Sequence, residues 1–379
     1  MKKKTLQAAV IALGILSASF TVSAMGETDV EDTVLSEITE ESMQNQDVET
    51  EEDTEQENPD NPQPEKPQNG WVENENGWQY KDENGNLLKD GWWEIEGERY
   101  YFDKDGYRAS YWLYADGQYY WLGTDGKMQT GWQEVWSKWY YLDVAGVMQT
   151  GWIWTEGDKW YYTYESGAMA SNTWEKMNGQ WYWFDESGLM AQGWKYIGRY
   201  KYYFNNSGHL LQDLDGVLGR QSSYEVTINR KRCQVTVYAK DGSNGYIIPA
   251  KTFTCSVGLS STPTPTGTFY TPDKYRWHTL MGPSYGQYCT RINGGILFHS
   301  VAGYNMTSYN IRARDYNKLG SPASHGCVRL TVRDAKWIYD NCKLGTKVTI
   351  SDYAATPFDK PATIKIPASQ NWDPTDPNI

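Results

Sequence analysis

Tryptophan recurs at positions 71, 92, 112, 132, 152, 174 and 194, a spacing of 20 to 22 residues held over seven copies. Some seven or eight residues after each comes an aromatic cluster, such as Tyr119-Tyr120-Trp121, Trp139-Tyr140-Tyr141 and Trp181-Tyr182-Trp183. A turn ending in glycine then follows every time, at 85, 106, 126, 146, 167, 188 and 208. Two short runs of alternating aromatics joined by a tight turn make a β-hairpin, and one hairpin of this size cannot bury its own apolar face. A fixed period of such units therefore predicts a stacked solenoid over 70–215, in which each hairpin is covered by its neighbours.

The charge of the chain belongs to a different stretch. Residues 25–69 hold 16 acidic residues against the single Lys66, and so carry more than the whole formal net charge of −13. The rest is close to neutral, with no basic face of the kind that binds nucleic acid. A segment of Glu, Asp, Thr, Gln, Asn and Pro buries too little to offset its ordering entropy, so 25–69 reads as a disordered linker. Ahead of it, Met1-Lys2-Lys3-Lys4, an apolar run from Leu6 to Phe20 and Val22-Ser23-Ala24 have the form of a secretory signal over 1–24, cut after Ala24. The mature chain then keeps no stable membrane span, and the expected location is outside the cell, on the wall.

Beyond the repeats the pattern changes. Tyr224 to Asn229 and Gln234 to Tyr238 read as paired strands, Ile247 to Val257 as another, and Gly294 to Ser300 as a buried strand ending at His299. Thr331 and Asp334 fit a capping box that opens a helix through Ala335, Trp337, Ile338 and Tyr339. Between strand and helix lies Ser324-His325-Gly326-Cys327-Val328-Arg329-Leu330. A cysteine set among small polar residues, near a helix start and a histidine, is placed for thiolate chemistry. The other cysteines, 233, 255, 289 and 342, either pair into two disulfides or stay as small buried apolar side chains.

The run SHGCVRL, with Phe298-His299-Ser300 before it and Thr264-Pro265-Thr266-Gly267-Thr268-Phe269 further upstream, resembles the catalytic domain of L,D-transpeptidases. The resemblance implies a mixed β-sandwich over 222–351, with Cys327 as nucleophile and His299 as base. It also implies that the Ser300 carbonyl orients the imidazole, that His325 and Gly326 line the site, and that backbone N–H groups around Gly326 and Cys327 hold an oxyanion. Arg329 becomes a site organiser or a carboxylate partner. The implied substrate is a peptidoglycan stem peptide. Its L,D bond is attacked, a thioester forms on Cys327, and a neighbouring amine resolves it into a 3→3 cross-link. Resolution by water, as in an L,D-carboxypeptidase, or an inactive domain on a wall-binding surface protein are the alternatives. No cofactor or metal is needed for this acyl transfer. His209 and His278 match no motif and read as structural. The 24 residues between His299 and Ser324 are expected to form a lid or substrate wall, and 352–379 a Pro-rich tail.

The repeats, for example Gly131-Trp132 with Trp139-Tyr140-Tyr141-Leu142-Asp143 and Gly146-Val147-Met148, resemble the choline-binding type of wall-binding repeat. That family cages a quaternary ammonium between rings, each ring face adding about 1 kcal/mol. The cages are expected between Trp132 and Trp194, from Trp139, Trp152, Trp160, Tyr161, Trp174, Trp181 and Tyr182. The partner is a wall polymer, bearing choline or made of glycan. The architecture expected for the whole is thus mainly β, an aromatic hairpin solenoid followed by the sandwich.

Overall fold

A computed structural model describes residues 69–379; the signal and acidic-linker expectations lie outside the described residues. Residues 70–204 form seven two-stranded antiparallel hairpins, the first Gly70–Asn74 with Gly77–Lys81 and the last Gly193–Ile197 with Tyr200–Phe204. After each hairpin the chain folds back and bonds to the unit before it: the N–H groups of Met148, Met169, Met190 and Leu210 donate to the carbonyls of Tyr119, Trp139, Trp160 and Trp181 at 2.8 Å. One position per unit supplies the core: Phe102, Leu122, Leu142, Thr163, Phe184 and Phe204 are all fully buried. An apolar side chain there contributes about 1.5–3 kcal/mol. Thr163 is the polar exception, and its hydroxyl donates to the Gln149 carbonyl at 3.0 Å.

The turns explain the periodic glycine. Asp143 Oδ1 accepts from the N–H groups of Ala145 and Val147, which leaves Gly146 at φ +80°, and a Cβ there would collide with Met128 of the preceding unit.

The second half is a sandwich of two mixed sheets. The first uses β1 (Tyr224–Asn229), β2 (Gln234–Ala239), β3 (Ile248–Thr254), β4 (Gly267–Tyr270) and β9 (Lys347–Ser351), in the order β3-β2-β1-β9-β4. The second uses β5 (Lys274–Leu280), β6 (Ser284–Asn293), β7 (Ile296–Ser300) and β8 (Val328–Leu330) in chain order, with β7 and β8 parallel. Helix α3 (Val332–Asn341) packs against β6 and β7, and its N-cap is Thr331, whose hydroxyl accepts from the Asp334 N–H at 3.2 Å. Two four-residue helices, α1 (Asp215–Leu218) and α2 (Ala313–Tyr316), sit in the connections.

Two packing features frame the second half. The segment after His299 is anchored at both ends, where Val301, Ile311, Ala313, Tyr316 and Leu319 form an apolar cluster with Ile366 of the tail, while Tyr304, Met306 and Tyr309 between them are exposed. The repeats are also not free of the second half. Lys201 Nζ and Tyr196 Oη both contact the Asp241 carboxylate at 2.7 Å, the Lys201 N–H donates to the Ile247 carbonyl, and Tyr200 stacks on Tyr238. The tail adds to this junction, because Phe358 is buried with Ala191, Tyr202, Phe204 and Leu210 of the last repeats.

Candidate active site and aromatic cages

The β7–β8 pair builds the site. In its parallel register His299 stands beside Arg329, and Cys327 lies two residues before Arg329, immediately ahead of the strand. Residues two apart on a strand share a face, which turns Cys327, Arg329 and His299 towards one cavity of about 310 Å³. His325, Ser324, His278 and Arg291 also line it.

The loop carrying Cys327 is pinned from below. Thr264, fully buried, donates its hydroxyl to the Gly326 carbonyl at 2.7 Å and accepts from the Gly258 N–H at 2.8 Å. Ser324 Oγ donates to the Cys327 carbonyl at 2.5 Å and accepts from the Gly326 N–H at 3.2 Å. Gly326 itself sits at φ +115°, where a Cβ would meet Ile296 at 2.7 Å. The TPTGTF stretch thus acts through one hydroxyl, that of Thr264.

His299 is 2% exposed. Its Nδ1 donates to the Ser300 carbonyl at 2.6 Å, which leaves Nε2 as the unprotonated nitrogen of the neutral ring. Ser300 is held in turn by the Gln287 N–H, donated to its Oγ at 2.9 Å. Behind the ring is Gly286, where a Cβ would lie 3.1 Å from the imidazole. Burial pushes the His299 pKa down to about 4, against the pull of the Ser300 carbonyl and aided by Arg329 and His278. The imidazole is therefore neutral at physiological pH.

Cys327 is half-buried, with Sγ 3.4 Å from the Gly295 carbonyl. Burial pushes its thiol up, partly offset by the Leu297 backbone and the charges of Arg329 and Arg291. The resting pair is then thiol and neutral imidazole, unlike the thiolate read from the sequence. Strand β8 separates Cys327 from α3, and the helix's first N–H groups are taken by the tail, Val332 by Asp373 at 2.7 Å and Arg333 by Thr375 at 3.2 Å.

All five cysteines are free thiols. Cys233, Cys255, Cys289 and Cys342 are buried, and burial raises the pKa of each. Arg329 donates to the Ala323 carbonyl at 2.9 Å, while its Nε is buried without a partner.

His278 and Arg291 come from β5 and β6, which the sequence reading passed over. His278 stacks on Tyr275 with ring centroids 4.5 Å apart, and Arg291 pairs with Asp273 at 2.9 Å. The signal for these strands was weak because charged and polar residues interrupt their alternation. His209, by contrast, packs edge-on against Tyr182 in the repeats.

The aromatic residues form cages of one design. Trp152 and Trp160 of one unit, Tyr182 and Met190 of the next, and Asn206 and Ser207 from the turn of the third enclose about 390 Å³. Trp112, Tyr119, Tyr140 and Met148, with Glu165 and Ser166, enclose about 280 Å³ in the same way. This second cage lies outside the range expected from the sequence, with Tyr119 at the position that Trp139 and Trp160 hold in later units. Trp132 packs on Tyr161 with centroids 4.9 Å apart, and Trp139 on the same hairpin is exposed. Trp174 and Trp181 pair with Tyr202 in a cavity of about 310 Å³.

The ring face of Trp194 is already occupied. Lys201 Nζ lies 5.4 Å from its ring and is tied to Asp241, so the protein's own cation occupies the ring face. Arg108 over Trp71 and Trp78, and Arg99 over Trp92, fill the first positions similarly.

Comparison with known proteins gives two matches to families. Residues 223–350 match the L,D-transpeptidase catalytic domain, and residues 129–174 and 174–213 match the choline-binding repeat. The Bacillus subtilis (strain 168) protein YciB, provisionally assigned as an L,D-transpeptidase, is 39% identical over 140 residues, covering 35% of this chain and 68% of YciB. Choline binding protein F from Streptococcus pneumoniae is 34% identical over 39% of this chain, with a TM-score of 0.37. The match spans about half of that protein, 54% of its chain. The cell wall endolysin from phage Cp-1, solved with choline, is 38% identical over 35% of this chain and 40% of its own, with a TM-score of 0.26.

Proposed function

The chain belongs to the L,D-transpeptidase family, and on that premise we propose that it is a secreted, wall-anchored L,D-transpeptidase forming 3→3 peptidoglycan cross-links. The observation that carries the reading is the shared face of β7 and β8, which turns Cys327 and a neutral, correctly tautomeric His299 into one cavity. His299 Nε2 takes the thiol proton as Sγ attacks the carbonyl of the L,D bond between the third and fourth stem residues. The ring held at Nδ1 by Ser300 is the one that receives the proton, and it returns it to the leaving amine of the terminal D-alanine. A thioester remains on Cys327. The amine on the third residue of a neighbouring stem then attacks the thioester carbonyl, His299 takes its proton, and the C–S bond breaks to release the Cys327 sulfur, which regains that proton from His299.

The Gly326 N–H is already engaged by Ser324, so we assign the oxyanion to the Cys327 N–H beside it. Arg329 lines this cavity with no acidic residue among the lining, and we assign it as a carboxylate partner. The repeats hold the enzyme on the wall through cation–π contacts, and several weak cages along a repetitive polymer gain by effective concentration. Domain roles follow as 70–215 for anchoring, 222–351 for catalysis and 352–379 as a strap between them.

Purified protein acting on tetrapeptide stems with an acceptor should give a thioester adduct and 3→3 dimers by mass. Tripeptides without dimers would make it an L,D-carboxypeptidase, and no adduct would remove the catalytic reading.

A further inference from the structure

The end of the C-terminal tail reaches the back of the catalytic site. Asp373, Asp376 and Asn378 lie beyond the residues that match the transpeptidase domain, 223–350, yet all three bond to residues inside it. Asp373 accepts from the Val332 N–H at 2.7 Å. Asp376, also buried, accepts from Gln287 Nε2 at 2.9 Å, and Asn378 Nδ2 donates to the Tyr288 hydroxyl at 3.3 Å. Gln287 and Tyr288 belong to β6, directly beside the base. The Gln287 amide is buried and clamped at both ends, since Arg276 Nη1 donates to its Oε1 at 3.0 Å. The Gln287 backbone N–H donates to Ser300 Oγ at 2.9 Å, and the Ser300 carbonyl holds His299 Nδ1 at 2.6 Å. The residue before Gln287 is Gly286, against which the imidazole packs. The residue after it, Tyr288, has φ +48°, a left-handed conformation that a tyrosine keeps in mid-strand only where its surroundings fix it.

Resting on the catalytic reading above, we propose that Asp376 is a positioning residue for the His299 imidazole, acting through Gln287 and Ser300. The carboxylate fixes the Gln287 side chain, and the fixed residue presents its N–H to Ser300. Ser300 in turn carries the carbonyl that sets the tautomer and aim of the ring. Neighbouring residues alternate across a strand, so Gln287 meets the tail on the face opposite the one Gly286 turns to the imidazole. Neither Gln287 nor Asp376 lines the catalytic cavity, so the tail acts without touching substrate. The end of the chain is then part of the proton-transfer apparatus as well as a strap.

The test uses the full chain with isotopically labelled histidine, in which the His299 Nδ1–H resonance is identified by its loss from His299→Ala. In the parent that proton, held against the Ser300 carbonyl, should exchange slowly with water. Asp376→Ala should speed its exchange about tenfold and lower turnover on stem peptide by about as much, the order for a base misaligned by a fraction of an ångström. KM should stay within about twofold, since no substrate contact is removed. Asp376→Asn keeps one acceptor oxygen and should lie between parent and Asp376→Ala. A tail that only stabilises the fold would lower the melting temperature and leave the ring proton and the turnover of folded protein at parent values, and that result overturns the proposal. Turnover lost with an unchanged Nδ1–H signal overturns it too, because Asp376 would then act elsewhere. If Asp376→Ala does not fold, Asp376→Asn decides by the same two readings. The proton signal needs no substrate. A parent chain that forms no acyl-enzyme therefore overturns the catalytic reading, while the exchange of that proton still decides the positioning.

Discussion

The two halves of this protein solve opposite problems with the same strand geometry. On the function proposed above, one buried imidazole and one half-buried thiol carry the chemistry of the second half. In the repeats the working groups are half-exposed rings, each replaceable by the next copy. Function should therefore be lost abruptly in one half and by degrees in the other.

The largest effect is expected at the nucleophile. Cys327→Ser should abolish the acyl-enzyme, read by mass after incubation with stem peptide, while wall binding stays at the parent level. Retained acylation would sink the mechanism. His299→Ala should lower turnover roughly 100-fold or more, as for a lost general base.

The same histidine should set acid stability. Its folded pKa of about 4 lies below the unfolded value of about 6.5, so the unfolded chain binds the extra proton in that window. Stability is then full above pH 6.5 and falls by up to about 3 kcal/mol as the pH drops to 4. Urea melts of parent and His299→Ala across that range should diverge, and parallel curves would contradict the burial argument.

A smaller loss tests positioning. Gly286→Ala puts a methyl against the imidazole and should cut turnover about tenfold with a lesser change in KM, since a displaced base misaligns the proton transfer. An unchanged turnover would mean that the ring moves freely.

The smallest effect belongs to the other half. Trp152→Ala should reduce wall retention only a few-fold, because the cages at Trp112 and Trp132 remain. Complete release by this one change would end the contrast between the halves. Competing away the bound protein with choline, and failing to do so with an equal concentration of sodium chloride, would sharpen it by naming the ligand.

Much of this was legible in the sequence. The 20-residue tryptophan period defined the solenoid, and Thr331 with Asp334 placed the helix start. The candidate nucleophile and base, Cys327 and His299, stood out in short motifs, and the β7–β8 register brings both to one cavity. What was hidden depends on long-range contact. The strands bearing His278 and Arg291 have no clean alternation, since their neighbours are arginines, glutamine and threonines that pair across the sheet and with the tail. The filling of cages by Arg108, Arg99 and Lys201 follows from where long side chains fold back, which spacing does not encode. The raised thiol pKa was missed for the same reason: it comes from burial, which depends on the segments that fold over Cys327.

The rung of hydrogen bonds from each unit to the one before it has an evolutionary consequence. Because Met148, Met169 and Met190 each repeat one bond to one neighbour, a whole unit can be duplicated or deleted and the ends still match. Copy number can then drift, lengthening or shortening the array by one hairpin at each step. The last two units are exempt, since Lys201 and Trp181 answer to Asp241 and Asp359 across the junction. Growth and shrinkage of this lineage should be confined to the interior of the array, with the final pair inherited together with the domain that follows it.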